Sequence, residues 1–232
     1  MISGSPLKYE DMCTVRQPTL GDIRDIGYDT YQQIISTMLM TKDSILKVLG
    51  VDKKQAEEIS FYGLVCAIPE IRALLTQALS FFVLEPISWD ADGLTINGQV
   101  ASEFDMDSIR AMALDISNVK NDDVVPRKFA SEKARQIWEK LNKGRESLRK
   151  AKKEDVNMEL ANLIGAVSAQ PCGYTLLNIW DLTVCQLYDQ FARINVCVQL
   201  DIYGTRWAAW GKDDFDTSLW FKNISHKGDE MQ

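Results

Sequence analysis

The side chains that could perform chemistry are few in this 232-residue chain, and their spacing fits no familiar reactive site. The single histidine is His226, so histidine-based metal sites and His-dependent catalytic triads are close to excluded. Two aspartate pairs, Asp122-Asp123 and Asp213-Asp214, carry oxygen ligands suited to Mg²⁺ or Ca²⁺. Neither pair has the flanking glycine and ligand spacing of a metal-binding loop, so the pattern favours solvated turns and no bound metal.

Thiol chemistry is equally poorly supported by the sequence. The cysteines are odd in number, scattered, and never spaced C-x-x-C: Cys13, Cys66, Cys172, Cys185 and Cys197. This usage indicates reduced, mostly buried thiols in a cytosolic protein. No phosphate-binding, dinucleotide-binding, nucleophile-elbow or H-E-x-x-H motif occurs. An enzyme is therefore the least favoured class of protein, and no cofactor is expected.

The net charge of −7 hides a strong asymmetry along the chain. Residues 127–155 contain 11 Lys and Arg against 5 Asp and Glu, whereas the remainder has 15 basic and 28 acidic residues. Such a basic segment can bind a partner, nucleic acid, or the acidic surface of the protein itself. Its only aromatic residues are Phe129 and Trp138, which makes nucleic acid the less favoured partner. No apolar run has the length of a membrane span, and no signal peptide is recognisable.

Apolar periodicity predicts a mainly α, multi-helix globular protein with a small β-hairpin near residues 86–100. The hairpin signal is the turn Asp90-Ala-Asp-Gly93 between two short strand-like runs. A polar stretch ending in Pro126 marks a boundary. The pattern thus predicts an N-terminal helical part with the hairpin (1–120), a basic connecting helix (127–155) and a C-terminal helical part (156–232).

The C-terminal part contains the strongest helix signal. Thr183 and Gln186 form a capping-box pattern at its start. The apolar residues that follow recur on one helical face: Leu187, Phe191, Ile194 and Val198. This periodicity predicts that the helix Thr183–Tyr203 is buried at the centre of a core, with Phe191 among its main contacts.

Two sets of apolar residues are candidates for partner binding. The basic helix has a stripe too narrow for a core helix, which favours an arm that reaches a partner or a second copy of the chain. Its members are Ile137, Trp138, Leu141 and Leu148, with Trp138 as the anchor. The second set lies near the C-terminal end: Trp207, Trp210, Trp220 and Phe221. These aromatic residues form either a staple over the core or an exposed partner patch.

Several stretches resemble a known group of proteins. They are PTLGDIRDIGY at 18–28, NIWDLTVCQLYDQFARIN at 178–195, and residues 134–145 and 164–168 between them. All are similar to small tailed-bacteriophage proteins, the tail assembly chaperones encoded near the tape-measure gene. The resemblance implies that the chain binds and solubilises the tape-measure protein, or another tail protein, in the host cell cytoplasm during tail assembly. This role requires no cofactor and no membrane, and it allows a homo-oligomer.

Two other functions remain open from the sequence. The protein could be a structural component of the virion, in the tail or at the head–tail junction, and would then be found in purified particles. It could instead be a nucleic-acid-associated factor that uses residues 127–153, in which case its binding would fall steeply with salt.

Overall fold

The computed structural model describes residues 3–51, 59–90, 93–119 and 159–211, together with Asp216 and Ser218. The chain divides into two compact units. The first unit comprises residues 1–4, 19–21 and 155–232, and the second comprises residues 5–18 and 22–154. The three-part division expected from the sequence stays a prediction, because the whole of its middle part, 127–155, lies outside the described residues.

The mainly helical fold class is confirmed. The helices of the described residues are α1 (Leu20–Ile26), α2 (Tyr28–Met38), α3 (Lys42–Leu49), α4 (Phe61–Ala67), α5 (Pro69–Phe82), α6 (Glu103–Ile116), α7 (Leu160–Ser168) and α8 (Val184–Trp210). The strands are β1 (Leu7–Tyr9), β2 (Cys13–Val15), β3 (Ile87–Asp90), β4 (Gly93–Ile96) and β5 (Gln99–Val100). They form two small antiparallel sheets, β1-β2 and β3-β4-β5.

The predicted hairpin is the β3-β4 pair, in which Asp90 faces Gly93. Gly93 has φ of 118°, and a Cβ atom there would overlap the hydroxyl of Tyr62, so only glycine fits. The Tyr62 hydroxyl accepts a hydrogen bond from the Leu94 amide at 2.8 Å and donates one to the Ala101 carbonyl at 3.1 Å. One tyrosine thereby ties the hairpin to the segment that precedes α6.

The sequence clearly indicated β structure only near residues 86–100, so the β1-β2 sheet is an addition to what was predicted. Leu7 pairs with Val15 and Tyr9 with Cys13. On the other side of β2, the Arg16 amide donates to the Phe82 carbonyl at 2.8 Å, and the Leu84 amide donates to the Thr14 carbonyl at 3.1 Å. Each strand has only three residues, which is too short for a convincing alternation pattern.

The sharp bend between α4 and α5 follows from local sequence signals. The Ser60 hydroxyl caps α4, and Pro69 occupies the first turn of α5, as expected for proline. Among the described residues no single helix is long and apolar enough to span a membrane. Only α4 and α5 taken together meet that criterion, and they are bent by 109°.

The core of the second unit is built mainly from α2, α5 and α6. Its fully buried side chains include Met38, Leu75, Leu79, Phe82, Met106 and Ile109. One cation, Arg110, is buried with them. Its guanidinium donates to the Met38 carbonyl at 2.8 and 3.2 Å, to the Met40 carbonyl, and to the Asp107 carboxylate at 2.8 Å. It also lies 4.3 Å from the centre of the Phe61 ring.

The start of α6 is fixed by a network around Asp105. Its carboxylate accepts hydrogen bonds from the amide and hydroxyl of Ser102 at 2.9 and 2.7 Å, and from the Tyr9 hydroxyl at 2.8 Å. Burial acts to raise the pKa of Asp105, but these hydrogen bonds outweigh it and the pKa is lowered. The ionised carboxylate is therefore favoured by folding.

We expect Tyr9→Phe to reduce stability at neutral pH and to raise the pKa of Asp105. Because that pKa is lowered by folding, the stabilisation is present above the ordinary aspartate pKa of about 3.9 and is lost as the pH falls through the lower folded-state value. The difference in melting temperature between wild type and variant should thus shrink from neutral pH to about pH 3. Tyr28→Phe, at an exposed tyrosine, is the control. A difference in melting temperature that is independent of pH would contradict the conclusion that Tyr9 stabilises the ionised form of Asp105.

The first unit contains α7, a short 3-10 turn at Ile179–Asp181, and α8. The capping box is confirmed: the Thr183 hydroxyl accepts from the Gln186 amide at 3.3 Å, and the Gln186 side chain accepts from the Thr183 amide at 2.9 Å. The buried side chains are Leu20, Leu160, Leu163, Val167, Ile179, Leu182, Val184 and Leu187. This core lies around α7 and the first turns of α8.

The predicted burial of Thr183–Tyr203 is wrong beyond those first turns. Val184 and Leu187 are buried, Phe191 is only half-buried, and Val198 is exposed. The reason is length: α7 has 9 residues and α8 has 27, or about 14 Å against about 40 Å. Packing against α7 therefore covers only the beginning of α8. The same apolar face continues past the point where this neighbour ends.

Candidate functional site

Within the residues that the structure describes, no group of three or more His, Cys, Asp or Glu side chains could hold a metal ion. His226 and the two aspartate pairs lie outside them. The five cysteines form no disulfide. Burial raises the pKa of the Cys13 thiol to about 11, with Glu85 and Asp105 adding to the effect. Such a thiol is protonated at neutral pH and is a poor nucleophile.

The most unusual surface in the described residues is the second half of α8. Its apolar residues Val196, Leu200, Tyr203, Trp207 and Trp210 are separated by 4, 3, 4 and 3 positions. This spacing places them on one helical face, and it is the a/d repeat of a coiled coil. We refer to these five residues as the α8 stripe. Trp207 is 50% exposed and Trp210 is 69% exposed, which is unusual for such large apolar side chains.

The α8 stripe has a defined beginning and end. The two preceding positions of the same repeat are Asp189 and Arg193, which form an ion pair with Arg193 Nε 2.8 Å from Asp189 Oδ2. At the other end, Gly211 adopts a left-handed conformation with φ of 57°, and its amide donates to the Trp207 carbonyl at 2.7 Å. Between these limits the stripe is entirely apolar and spans about 22 Å at 1.5 Å per residue.

The flanks of the α8 stripe differ in side-chain size. In the coiled-coil repeat, Cys197 and Gly204 flank the stripe on one side, and Gln199 and Arg206 flank it on the other. The small residues allow the backbone of another helix to approach closely, whereas the longer polar residues can cover its opposite edge. A helix approaching the stripe would therefore meet small residues on one flank and longer polar side chains on the other.

The structure describes only some of the predicted partner-binding residues. Trp207 and Trp210 lie on α8 with exposed rings, which favours the partner patch over the staple. The others fall outside the described residues: Ile137, Trp138, Leu141, Leu148, Trp220 and Phe221. Partner binding by all of these residues stays a prediction.

Sequence reasoning missed the other members of the stripe because it ended the helix near Gly204. In the structure the helix continues through Gly204 to Trp210. An interior glycine costs only about 1 kcal/mol relative to alanine, so a helix with a good cap tolerates it. The 4-3-4-3 spacing of Val196, Leu200, Tyr203, Trp207 and Trp210 was the signal that could have revealed the surface.

Residues 150–225 match the family described as the YomV second domain. That family is of the phage type (Bacillus phage SPbeta-like). The match covers about a third of the chain and includes α7, α8 and the whole α8 stripe. It agrees with the resemblance to phage proteins and supports a phage origin. Comparison with curated proteins and with solved structures gave no match.

Proposed function

We propose that the chain is a phage protein that acts in tail assembly as a chaperone, holding an apolar helix of the tape-measure protein against the α8 stripe. The observation that carries the proposal is this stripe, which has coiled-coil spacing and in which Tyr203, Trp207 and Trp210 are exposed. The role is one of binding and involves no chemical step, so neither a cofactor nor a catalytic group is part of it. Binding would take place in the host cytoplasm, where tail proteins are assembled.

The geometry of the stripe supports a helix as the bound element. Side chains at a and d positions insert between the side chains of a facing helix, and a stripe of about 22 Å offers two heptads for this packing. Trp and Tyr are enriched among the residues that dominate binding energy. A large excess of acidic side chains outside residues 127–155 favours solubility of a complex with an apolar partner.

The test is affinity purification of the tagged chain from phage-infected cells, followed by mass spectrometry. We expect the tape-measure protein to co-purify with wild type. With Trp210→Ser its recovery should fall by about tenfold or more, because truncation of a tryptophan that anchors an interface typically costs 2 kcal/mol or more. Val48→Ser, which alters an exposed apolar residue on α3 in the other unit, should leave recovery unchanged.

The same material distinguishes the other functions. Presence of the chain in lysates and its absence from purified particles would support the chaperone role. Its presence in purified particles would indicate a structural tail component instead. If nuclease treatment removes all co-purifying material and no tail protein remains, the proposal is wrong and a nucleic-acid-associated role is favoured.

A further inference from the structure

We infer that, when no partner helix is bound, the α8 stripe binds the α8 stripe of a second copy of the chain, with the two helices antiparallel. This self-association goes beyond the proposed function and does not depend on it. Where both hold, a second copy and a partner helix compete for one surface. The argument uses the order of side chains along the stripe, the charge at its beginning, and its area.

The side chains are complementary when the stripe is paired with itself in the antiparallel sense. Antiparallel coiled coils pack each a position against a d position of the other helix. In one register Trp207 faces Val196 of the second copy, and Leu200 faces Tyr203 of the second copy. The rings of Trp207 and Tyr203 thus each meet an aliphatic side chain, and by symmetry both contacts occur twice. Large and small side chains alternate across the interface, which permits close packing.

Charge also favours this register. The a position before Val196 is Arg193, and the antiparallel pairing places it against Trp210 of the second copy. A guanidinium over an indole ring is a favourable cation–π contact, and Arg193 can keep its ion pair with Asp189. A parallel pairing would instead place Arg193 next to Arg193 of the second copy. Like charges facing each other are unfavourable.

The flanking positions are compatible with the same pairing. Cys197 lies opposite Gly204 of the second copy, where both residues are small and let the helices approach. On the other edge, Gln199 lies opposite Arg206 of the second copy, and the amide oxygen is a suitable acceptor for a guanidinium. No like charges face each other at these positions.

The area of the stripe indicates that the dimer is reversible. Three half-exposed aromatic residues and two aliphatic residues per copy would bury on the order of 800 Å² in total, given 150–250 Å² for a fully buried aromatic residue. Stable complexes usually bury about 1,200–2,000 Å². The self-association should therefore depend on protein concentration, and a longer apolar helix could displace the second copy.

Sedimentation equilibrium of the purified full chain over a wide concentration range tests the interaction. We expect the wild-type mass to rise from monomer toward dimer with concentration. Tyr203→Glu should raise the dissociation constant at least about tenfold, because it places a charge in the middle of the stripe. Thr205→Glu adds the same charge at an exposed position on the opposite face of α8 and should change the constant less than about twofold. A wild type that stays monomeric, or equal effects of both variants, would overturn the inference.

Cross-linking tests the orientation. Gly204→Cys places a second thiol on the flank that carries the native Cys197, and a short bismaleimide is then added to a mixture of isotopically labelled and unlabelled protein. Mass spectrometry of the covalent dimer should show a link from position 197 of one copy to position 204 of the other. Thr205→Cys should give little covalent dimer. A dimer linked predominantly between the two 204 positions would contradict the antiparallel arrangement. These experiments use purified protein alone, so their failure leaves the capture experiment in infected cells unaffected.

Discussion

Leu187→Ala is expected to lower the free energy of unfolding of the first unit by about 2–5 kcal/mol. Leu187 is the innermost residue of α8, with 0% of its surface exposed, and lies in the core around α7. Its truncation removes the transfer free energy of the buried side chain and leaves a cavity that the neighbouring side chains fill only partly. Denaturant unfolding followed by tryptophan fluorescence measures the change, since this unit contains Trp180, Trp207 and Trp210.

A matched control exists in the same unit. Leu177→Ala makes the identical chemical change at a leucine that is 92% exposed, so the free energy of unfolding should move by less than about 0.5 kcal/mol. Phe191→Ala should fall between the two variants, because Phe191 is only half-buried. If Leu187→Ala and Leu177→Ala have equal effects, the core of this unit is not where the structure places it.

Arg110→Ala is expected to destabilise the second unit by about 3–5 kcal/mol, a value typical of removing one partner of a buried ion pair. The variant leaves the carbonyls of Met38 and Met40 at the end of α2 without their donors, and leaves the Asp107 carboxylate partly buried without its cation. Arg110→Lys should not restore stability, since an ammonium group cannot reproduce the planar set of donors. Arg24→Ala, at an exposed pair with Asp25, should cost less than about 1 kcal/mol.

The loss of stability caused by Arg110→Ala should change with pH in a definite direction. Burial raises the pKa of Asp107 even in the presence of Arg110, which acts to lower it. Without the cation this pKa rises further, so the ionised carboxylate becomes more unfavourable in the folded state. Protonation of Asp107 removes the cost of burying its charge. The difference in stability between variant and wild type should therefore narrow as the pH falls toward the ordinary aspartate pKa of about 3.9. A difference that widens in acid would contradict this explanation.

Local signals in the sequence were sufficient to predict the start of α8 and the position of the hairpin. Thr183 with Gln186 marks the start of α8 as predicted, and Pro69 lies in the first turn of α5, a position that proline favours. The hairpin around Gly93 follows from turn chemistry in the same way. Such features depend on neighbours in sequence, which the sequence displays directly.

Burial along α8 could not be predicted in this way. Leu187 and Val198 lie on the same helical face and are both apolar, so periodicity predicts that both are buried in the core. Leu187 is buried and Val198 is exposed, and the short length of α7 beside α8 accounts for this difference. The α8 stripe was missed for the same reason. A second apolar face on a helix indicates that something packs against it, but the sequence does not reveal whether this is another part of the chain or another molecule.

The first unit is not continuous in sequence. Residues 19–21 complete it: Thr19 pairs with Thr183, the Leu20 amide donates to the Leu182 carbonyl at 2.7 Å, and the Leu20 side chain is buried. The stretch that matches the phage family begins at residue 150 and therefore lacks these contacts. During synthesis, the N-terminal residues leave the ribosome long before α8 exists. This unit closes only after α8 has been made, and a domain excised at the family boundary would lack one of its own core side chains.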